Sequence, residues 1–368
     1  MRRLSCVLPM NAPSQLDPGM KTVLILSGLV IVIAGLGVSG SFLMPVIVAV
    51  FIAVVSTPVL GWLQRARVPR VLAIVLTVLL DVALLSGLIA LLGVSLSGLE
   101  GALPRYERAV QQLIVSTVAW SNAHGLPVDA EELRALGDAA WVFALVGDLF
   151  TKLTSFLSDA FLVVLLVIFM LFELEPAKAK AAILLGGPNQ YLEKLTYASS
   201  KTQRYLVVKT LLSTVTGLCF GLWLWVVGVD FPLLWGILAF LLNYIPTIGP
   251  TIATVPPVVI ALLTLGPGPA LAAAVGCLLV NVVVGNVFEP RMMGEALGIS
   301  TFVVFVSMLF WGWLWGPVGA LLAVPLTMLM RGLLESSEDT RWLAVMLGST
   351  EWVEAKRLEW GWPKKELP

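Results

Sequence analysis

The side chains able to do chemistry in this chain are few, and they exclude most chemistries at once. The one histidine, His124, sits beside Gly125 in a loop-like stretch, so no His-based metal site or dyad exists. Cys6, Cys219 and Cys277 are far apart, which gives neither a disulfide framework nor metal-ligand spacing, and the last two read as small apolar residues. No Gly-x-x-x-x-Gly-Lys-Ser/Thr phosphate loop occurs, so ATP does not drive the protein directly. No catalytic residue, cofactor or metal is expected.

What remains is backbone chemistry at two Gly-Pro breaks. Ile245-Pro246-Thr247-Ile248-Gly249-Pro250 interrupts one long apolar run, and Gly316-Pro317-Val318-Gly319 interrupts another. Pro and Gly free amides and carbonyls that a continuous helix would consume. At membrane depth such backbone is tolerated only where it is buried in protein or lines a polar cavity. Short helices ending at a break also aim their dipole ends at it, which suits ions or polar solutes. Asn243, Tyr244, Thr247, Thr251 and Thr254 add neutral hydrogen-bonding groups to the first break. The second has its backbone and the indole N–H groups of Trp311, Trp313 and Trp315, a cluster that reads first as an interfacial belt.

Between the breaks, Asn281 and Asn286 stand in an otherwise apolar span, where polar side chains need partners. Glu289 and Arg291 flank Pro290 at the membrane edge, either on a solute path or as a solvated helix end with a salt bridge. Asp81 is a carboxylate near the middle of a span, either a coupling acid for protons or sodium or a packing contact to a neighbouring hydroxyl. The candidate pathway is therefore Asn243, Pro246, Thr247, Gly249, Pro250, Thr251, Asn281, Asn286, Glu289, Pro290, Arg291, Gly316 and Pro317, with Asp81 as a candidate coupling acid.

The elements that must position these residues are membrane helices. Of 368 residues, 58% are hydrophobic and 12% charged, with a mean hydropathy of +0.95. Soluble proteins carry about a quarter charged residues, and several runs here exceed the roughly 18 apolar residues of a spanning helix. Net charge is zero, leaving no basic field for nucleic acid.

The expected fold is an all-α polytopic membrane protein with about six to eight transmembrane segments. Residues 1–21 form a tail and 22–99 three helices. Residues 100–155 form an extracytoplasmic amphipathic region in which Leu103, Tyr106, Val110, Leu113, Thr117 and Trp120 recur at helical spacing. Asp129 and Glu132 there read as a capping box. A fourth span covers 156–172, a cytoplasmic helical segment 173–206, the core 207–331, and a tail helix 332–368 with Trp342, Trp352, Trp360 and Trp362 as interfacial aromatics. The loop holding Arg65, Arg67 and Arg70 is cytoplasmic by the positive-inside rule, and so are both termini. Six bases against three acids over 173–209 return that segment to the same side.

In the core, the apolar pieces 232–246, 250–265, 300–315 and 317–331 are each too short for a bilayer core of about 30 Å, whereas 270–288 is long enough. Each broken run (232–265 and 300–331) is either a kinked span or a re-entrant hairpin. Length favours hairpins, because 34 residues in one helix would measure about 51 Å. Gly249-Pro250 followed by Val255-Pro256 weakly matches Gly316-Pro317 followed by Val324-Pro325.

Over 203–331 the order Gln203-Arg204-Tyr205-Leu206, LNYIPTIGP, Gly285-Asn286-Val287 with Pro290 and Gly294, then GPVGALLAVPL resembles the autoinducer-2 exporter family, the PerM-like permeases. The resemblance covers most of the chain. It implies a homo-oligomeric bacterial inner-membrane protein that exports autoinducer-2 in some members and exchanges sodium for protons in others. Where many members carry Glu two residues before this Asn, the chain has Val284, which leaves Glu289 or Asp81 to couple an ion. The leading expectation is a secondary transporter of a small polar solute such as autoinducer-2, with sodium ion or proton as coupling candidates and membrane lipid as surroundings. Cation/proton antiport and a membrane scaffold using 100–155 and the tail are the alternatives.

Overall fold

A computed structural model describes residues 18–124, 160–184, 190–246, 248–293, 298–336 and 340–359. Among them every regular element is helical, and the one β-bridge pairs Ile299 with Gly348. The capping box at Asp129 and Glu132 lies outside the described residues, as do Thr247, Gly294, Trp360 and Trp362.

The chain divides into two units, 1–43 and 44–368. In the first, α1 (Pro18–Val38) exposes Val23, Leu24, Leu26, Val30, Ile31 and Val32. A helix apolar on every side has lipid as its natural solvent. Next come α2 (Gly40–Arg65), α3 (Arg70–Ala123), α4 (Ala160–Leu184) and α5 (Gln190–Val227). Ala49, Ala53, Ala73 and Ile74 pack with Val163, Val167 and Leu171, small residues on α2 and α3 letting α4 approach closely.

The helix α3 has 54 residues and runs through Pro104 without a break, about 81 Å of rod, so it passes well beyond any bilayer. No interruption marks the change of composition near residue 100. The stretch past Leu99 is fixed at its base by Tyr106, whose hydroxyl donates to Asp230 Oδ2 at 3.0 Å, and by Arg105, 3.5 Å from the same oxygen. The later part of the segment expected over 173–206 runs without a break into the start of the core, from Gln190 to Val227, as one helix, α5.

The core continues with α6 (Pro232–Leu242), α7 (Ile248–Thr264), α8 (Pro267–Val283), a π-helical turn (Val284–Phe288), α9 (Glu289–Met293) and α10 (Thr301–Ser336). Two short helices, α11 (Arg341–Leu347) and α12 (Thr350–Glu359), close the described chain. They are tied to the start of α10: Ser300 N donates to Leu347 O at 3.2 Å and Ser349 N to Gly298 O at 2.9 Å. Arg331 donates to the Gly298 carbonyl and stacks 4.5 Å over the Trp352 ring, while Lys356 pairs with Glu335 at 3.0 Å. Trp352 is thus buried in protein, and Trp342 is exposed.

Among the described residues, five helical runs are long and apolar enough to cross a membrane: Gly40–Arg65, Arg70–Leu99, Ser200–Val227, Pro267–Met292 and Thr301–Glu335, the last of them broken at Trp315–Gly316. Their outer faces carry Leu79, Leu84, Leu218, Leu222, Leu271, Leu278 and Leu279, all exposed. Apolar area on that scale would be untenable in water and is ordinary against lipid. The chain is an all-α polytopic membrane protein.

Candidate functional site

The helix α5 measures depth for everything packed on it. Gly217 meets the backbone of Gly236, and Gly221 the backbone of Pro232, so α6 runs antiparallel to α5 and the two backbones approach closely. Farther along, Asn243 Nδ2 donates to Ser213 Oγ at 3.0 Å and Tyr244 Oη to Thr210 Oγ1 at 2.7 Å. The first break therefore lies some 17 residues, or about 26 Å, from the Val227 end of α5. From it α7 returns: Asn281 Nδ2 approaches Pro250 O at 3.4 Å, and the Trp223 indole donates to Ala272 O at 3.1 Å near the start of α8. Both ends of the α6–α7 pair thus lie toward the Gly228–Phe231 end of α5.

The run 301–336 also doubles back. Trp315 (φ −129°, ψ 17°) and Gly316 (φ 66°, ψ −152°) leave the helical region, and the positive φ at Gly316 is one that a side chain would resist. The arms then meet. Ser307 Oγ donates to Ala323 O at 3.2 Å, the Ser307 and Thr327 hydroxyls share a hydrogen bond, and Gly319 lies against the Trp311 carbonyl. Trp311 and Trp315 are buried with ring centroids 4.9 Å apart, whereas Trp313 is 74% exposed. At the open end Val303, Val304, Val324 and Met328 cluster with Tyr205 and Leu206 of α5. This hairpin therefore opens toward the end of α5 opposite to the first.

A buried polar stripe on α5 runs past the first tip. Thr202, Tyr205, Lys209, Ser213 and Thr216 are each at most 5% exposed and recur three or four residues apart, so they share one helix face. Lys209 Nζ lies 2.7 Å from Glu289 Oε1 and 2.9 Å from Oε2. The π turn supplies this pairing, because Glu289 N bonds back to Val284 O, five residues earlier. Val284 packs beside Tyr205 and Leu212. In an unbroken α-helix Phe288, not Glu289, would follow Val284 on that face.

The structure brings some expected residues together and leaves others apart. Asn243, Pro246, Gly249 and Pro250 form the first tip; Asn281 reaches it, and its Oδ1 is buried with no hydrogen-bond partner among the described residues. Gly249 is pressed against the Leu242 carbonyl. Thr251 is exposed on α7, Asn286 is exposed within the π turn, and Pro290 and Arg291 are exposed on α9 just after it. Gly316 and Pro317 make the second break. The partner of Glu289 is Lys209 rather than the nearby Arg291. Asp81 is not among the residues that meet at the tip; both of its carboxylate oxygens accept from Ser56 Oγ, at 2.8 and 2.9 Å.

Sequence reasoning does not single out Lys209 or Ser213, because by composition the lysine groups with the cytoplasmic bases. Their spacing with Tyr205 inside an apolar run is nevertheless a readable signal. Ser56 leaves none, since only the tertiary packing of α2 on α3 selects it.

A cavity of about 720 Å³ lies between α2, α3, α5, α6 and the return arm of the second hairpin. Its walls include Ser56, Asp81, Thr210, Thr214 and Tyr244, together with Val318, Leu321 and Leu322.

Comparison with known proteins follows the same lines. The family model of the AI-2E family transporters matches residues 25–339. The AI-2 transport protein TqsA of Escherichia coli strain K12 is 38% identical over 329 residues, 89% of this chain and 96% of that protein. The putative transport protein YhhT of the same organism is 35% identical over 98% of this chain and 100% of its own length. The putative transport protein YrrI of Bacillus subtilis is 26% identical over 78% and 84% of the two chains.

Proposed function

The chain belongs to the AI-2E transporter family, and from that premise we propose that it carries autoinducer-2 across the bacterial inner membrane through the core 207–331. It is a multi-pass membrane transporter; the cargo, the path and the orientation are the proposal. One observation carries the path: two helical hairpins open toward opposite ends of α5, and the tip of the first meets a buried polar stripe. Broken helices around a central site are a recurring design in secondary transporters.

The first tip offers what a small polar, uncharged solute needs. Asn243, Tyr244 and the partnerless Asn281 Oδ1 supply donors and acceptors within apolar surroundings. Pro256 and Pro257 inside α7 lack the N–H groups that the Ile252 and Ala253 carbonyls would otherwise bind, adding acceptors near the tip. With the Arg65, Arg67 and Arg70 turn cytoplasmic, the first hairpin enters from outside and the second from inside. Glu289, balanced by Lys209, is the carboxylate placed to couple a proton or sodium ion to movement at the tip.

The test is autoinducer-2 flux in proteoliposomes of the purified protein. Pro246→Ala with Pro250→Ala is expected to abolish flux while the protein still elutes as a monodisperse peak. Normal flux in that variant would remove the tip from the path, and no flux in wild type would remove the cargo. Proton coupling unchanged in Glu289→Gln would remove that acid.

A further inference from the structure

The large cavity does not suit the polar cargo just proposed. Its walls are overwhelmingly apolar, so a polyhydroxylated solute inside would leave hydroxyls unpaired at a cost of several kcal/mol. Its volume nevertheless falls in the range of about 300–1,000 Å³ typical of sites for drug-sized organic molecules. Among its lining residues Asp81 alone carries a formal charge, and no lysine or arginine faces it. The Asp81 carboxylate is held by the Ser56 hydroxyl through both oxygens, which orients it and leaves acceptor capacity on each. Aromatic rings complete the wall: Phe51 and Phe240 pack edge-on to Tyr244 at 5.8 and 5.9 Å, and Trp225 lines the far part.

We propose that this cavity binds a lipophilic organic cation, with Asp81 as its counter-ion and the aromatic wall as its cradle. An apolar site with one carboxylate favours a ligand that is apolar in body and positive in charge. Attraction between opposite charges is several-fold stronger in such surroundings than in water. Ring faces add cation–π stabilisation. A lipid acyl chain would gain nothing from the carboxylate, and an anionic headgroup would be repelled by it. This assignment is independent of autoinducer-2 as cargo, since the first tip and the cavity are lined by largely different residues.

Equilibrium dialysis of tetraphenylphosphonium against the full-length protein in detergent tests it. Saturable binding is expected, at least about tenfold weaker in Asp81→Asn and restored in Asp81→Glu. Triphenylphosphine oxide, a neutral relative, should compete poorly, and oleate not at all. Equal binding to wild type and Asp81→Asn, or equal competition by the oxide, would overturn the role of the charge; preferential displacement by oleate would make the cavity a lipid site. If the variants fail to fold, wild type alone decides. Tetraphenylphosphonium should protect Asp81 from dicyclohexylcarbodiimide, read by peptide mass, while leaving Glu289 labelling unchanged. Failure to protect Asp81 would sink the proposal.

Discussion

Lys209 Nζ lies 2.7 Å from Glu289 Oε1, and only 3% of the lysine side chain and 24% of the glutamate are exposed. Removing the lysine strands the Glu289 charge where water reaches it only in part. Lys209→Met is therefore expected to cost about 3 kcal/mol, with loss of flux, whereas Lys209→Met combined with Glu289→Leu should recover much of that stability. Melting temperatures of the purified variants in one detergent decide this. A double variant no better than the single would show that the pair contributes through more than charge balance.

Ser307 and Thr327 share a hydrogen bond across the second hairpin. In a straight helix, residues 20 apart would stand about 30 Å apart, beyond any disulfide. In a background lacking Cys6, Cys219 and Cys277, Ser307→Cys with Thr327→Cys should cross-link under mild oxidation, seen as a mass loss of two hydrogens. No cross-link in folded protein would contradict the hairpin.

A Cβ on Gly249 would collide with the Leu242 carbonyl, and one on Gly319 with the Trp311 carbonyl. Backbone cannot yield as a side chain can, so Gly249→Ala and Gly319→Ala should each cost about 1–3 kcal/mol or more and reduce flux. A methyl group on Gly87 in α3 would meet nothing within 4 Å, so Gly87→Ala should be neutral or stabilise by up to about 1 kcal/mol. Thermal melts paired with flux separate the three.

Tyr106, fully buried, donates to Asp230. Burial and the neighbouring carboxylate both push its phenol above the usual value of about 10. A folded pKa above the unfolded one gives a contribution that is complete below the unfolded value and lost as pH rises through the folded one. The melting difference between wild type and Tyr106→Phe, expected to reflect about 1.5 kcal/mol, should therefore stay constant from pH 6 to 9. A difference shrinking within that window would argue against the buried donor.

Much of the fold is legible in the sequence because its signals are local. Apolar runs give helices in lipid, and Gly-Pro steps interrupt them, so the two breaks can be located from residues 245–250 and 316–319 alone. Asn243 and Asn281 are legible for a related reason: an amide in an apolar run must find a partner nearby. The pairing of Lys209 with Glu289 is not, because it depends on a π turn that adds one residue to a helical repeat, and Val284–Phe288 carries no residue that demands one. The continuity of α3 past Leu99 is equally hidden. A change from lipid to water as surroundings alters composition without ending a helix, and Pro104 alone does not break this one. Asp81 can be singled out by its charge, but its partner Ser56 and the cavity it faces exist only once α2, α3, α5 and α6 have packed.

The opposed openings of the two hairpins bear on the direction of transport. Each face of the membrane would own one mobile gate, and a blocker added to one compartment would meet a different gate from the same blocker added to the other. Such a core carries no built-in arrow in its gating, since each face has one hairpin that opens toward it. Net movement would then follow the gradients of cargo and coupling ion, so one and the same molecule would serve as exporter or importer as those gradients reverse.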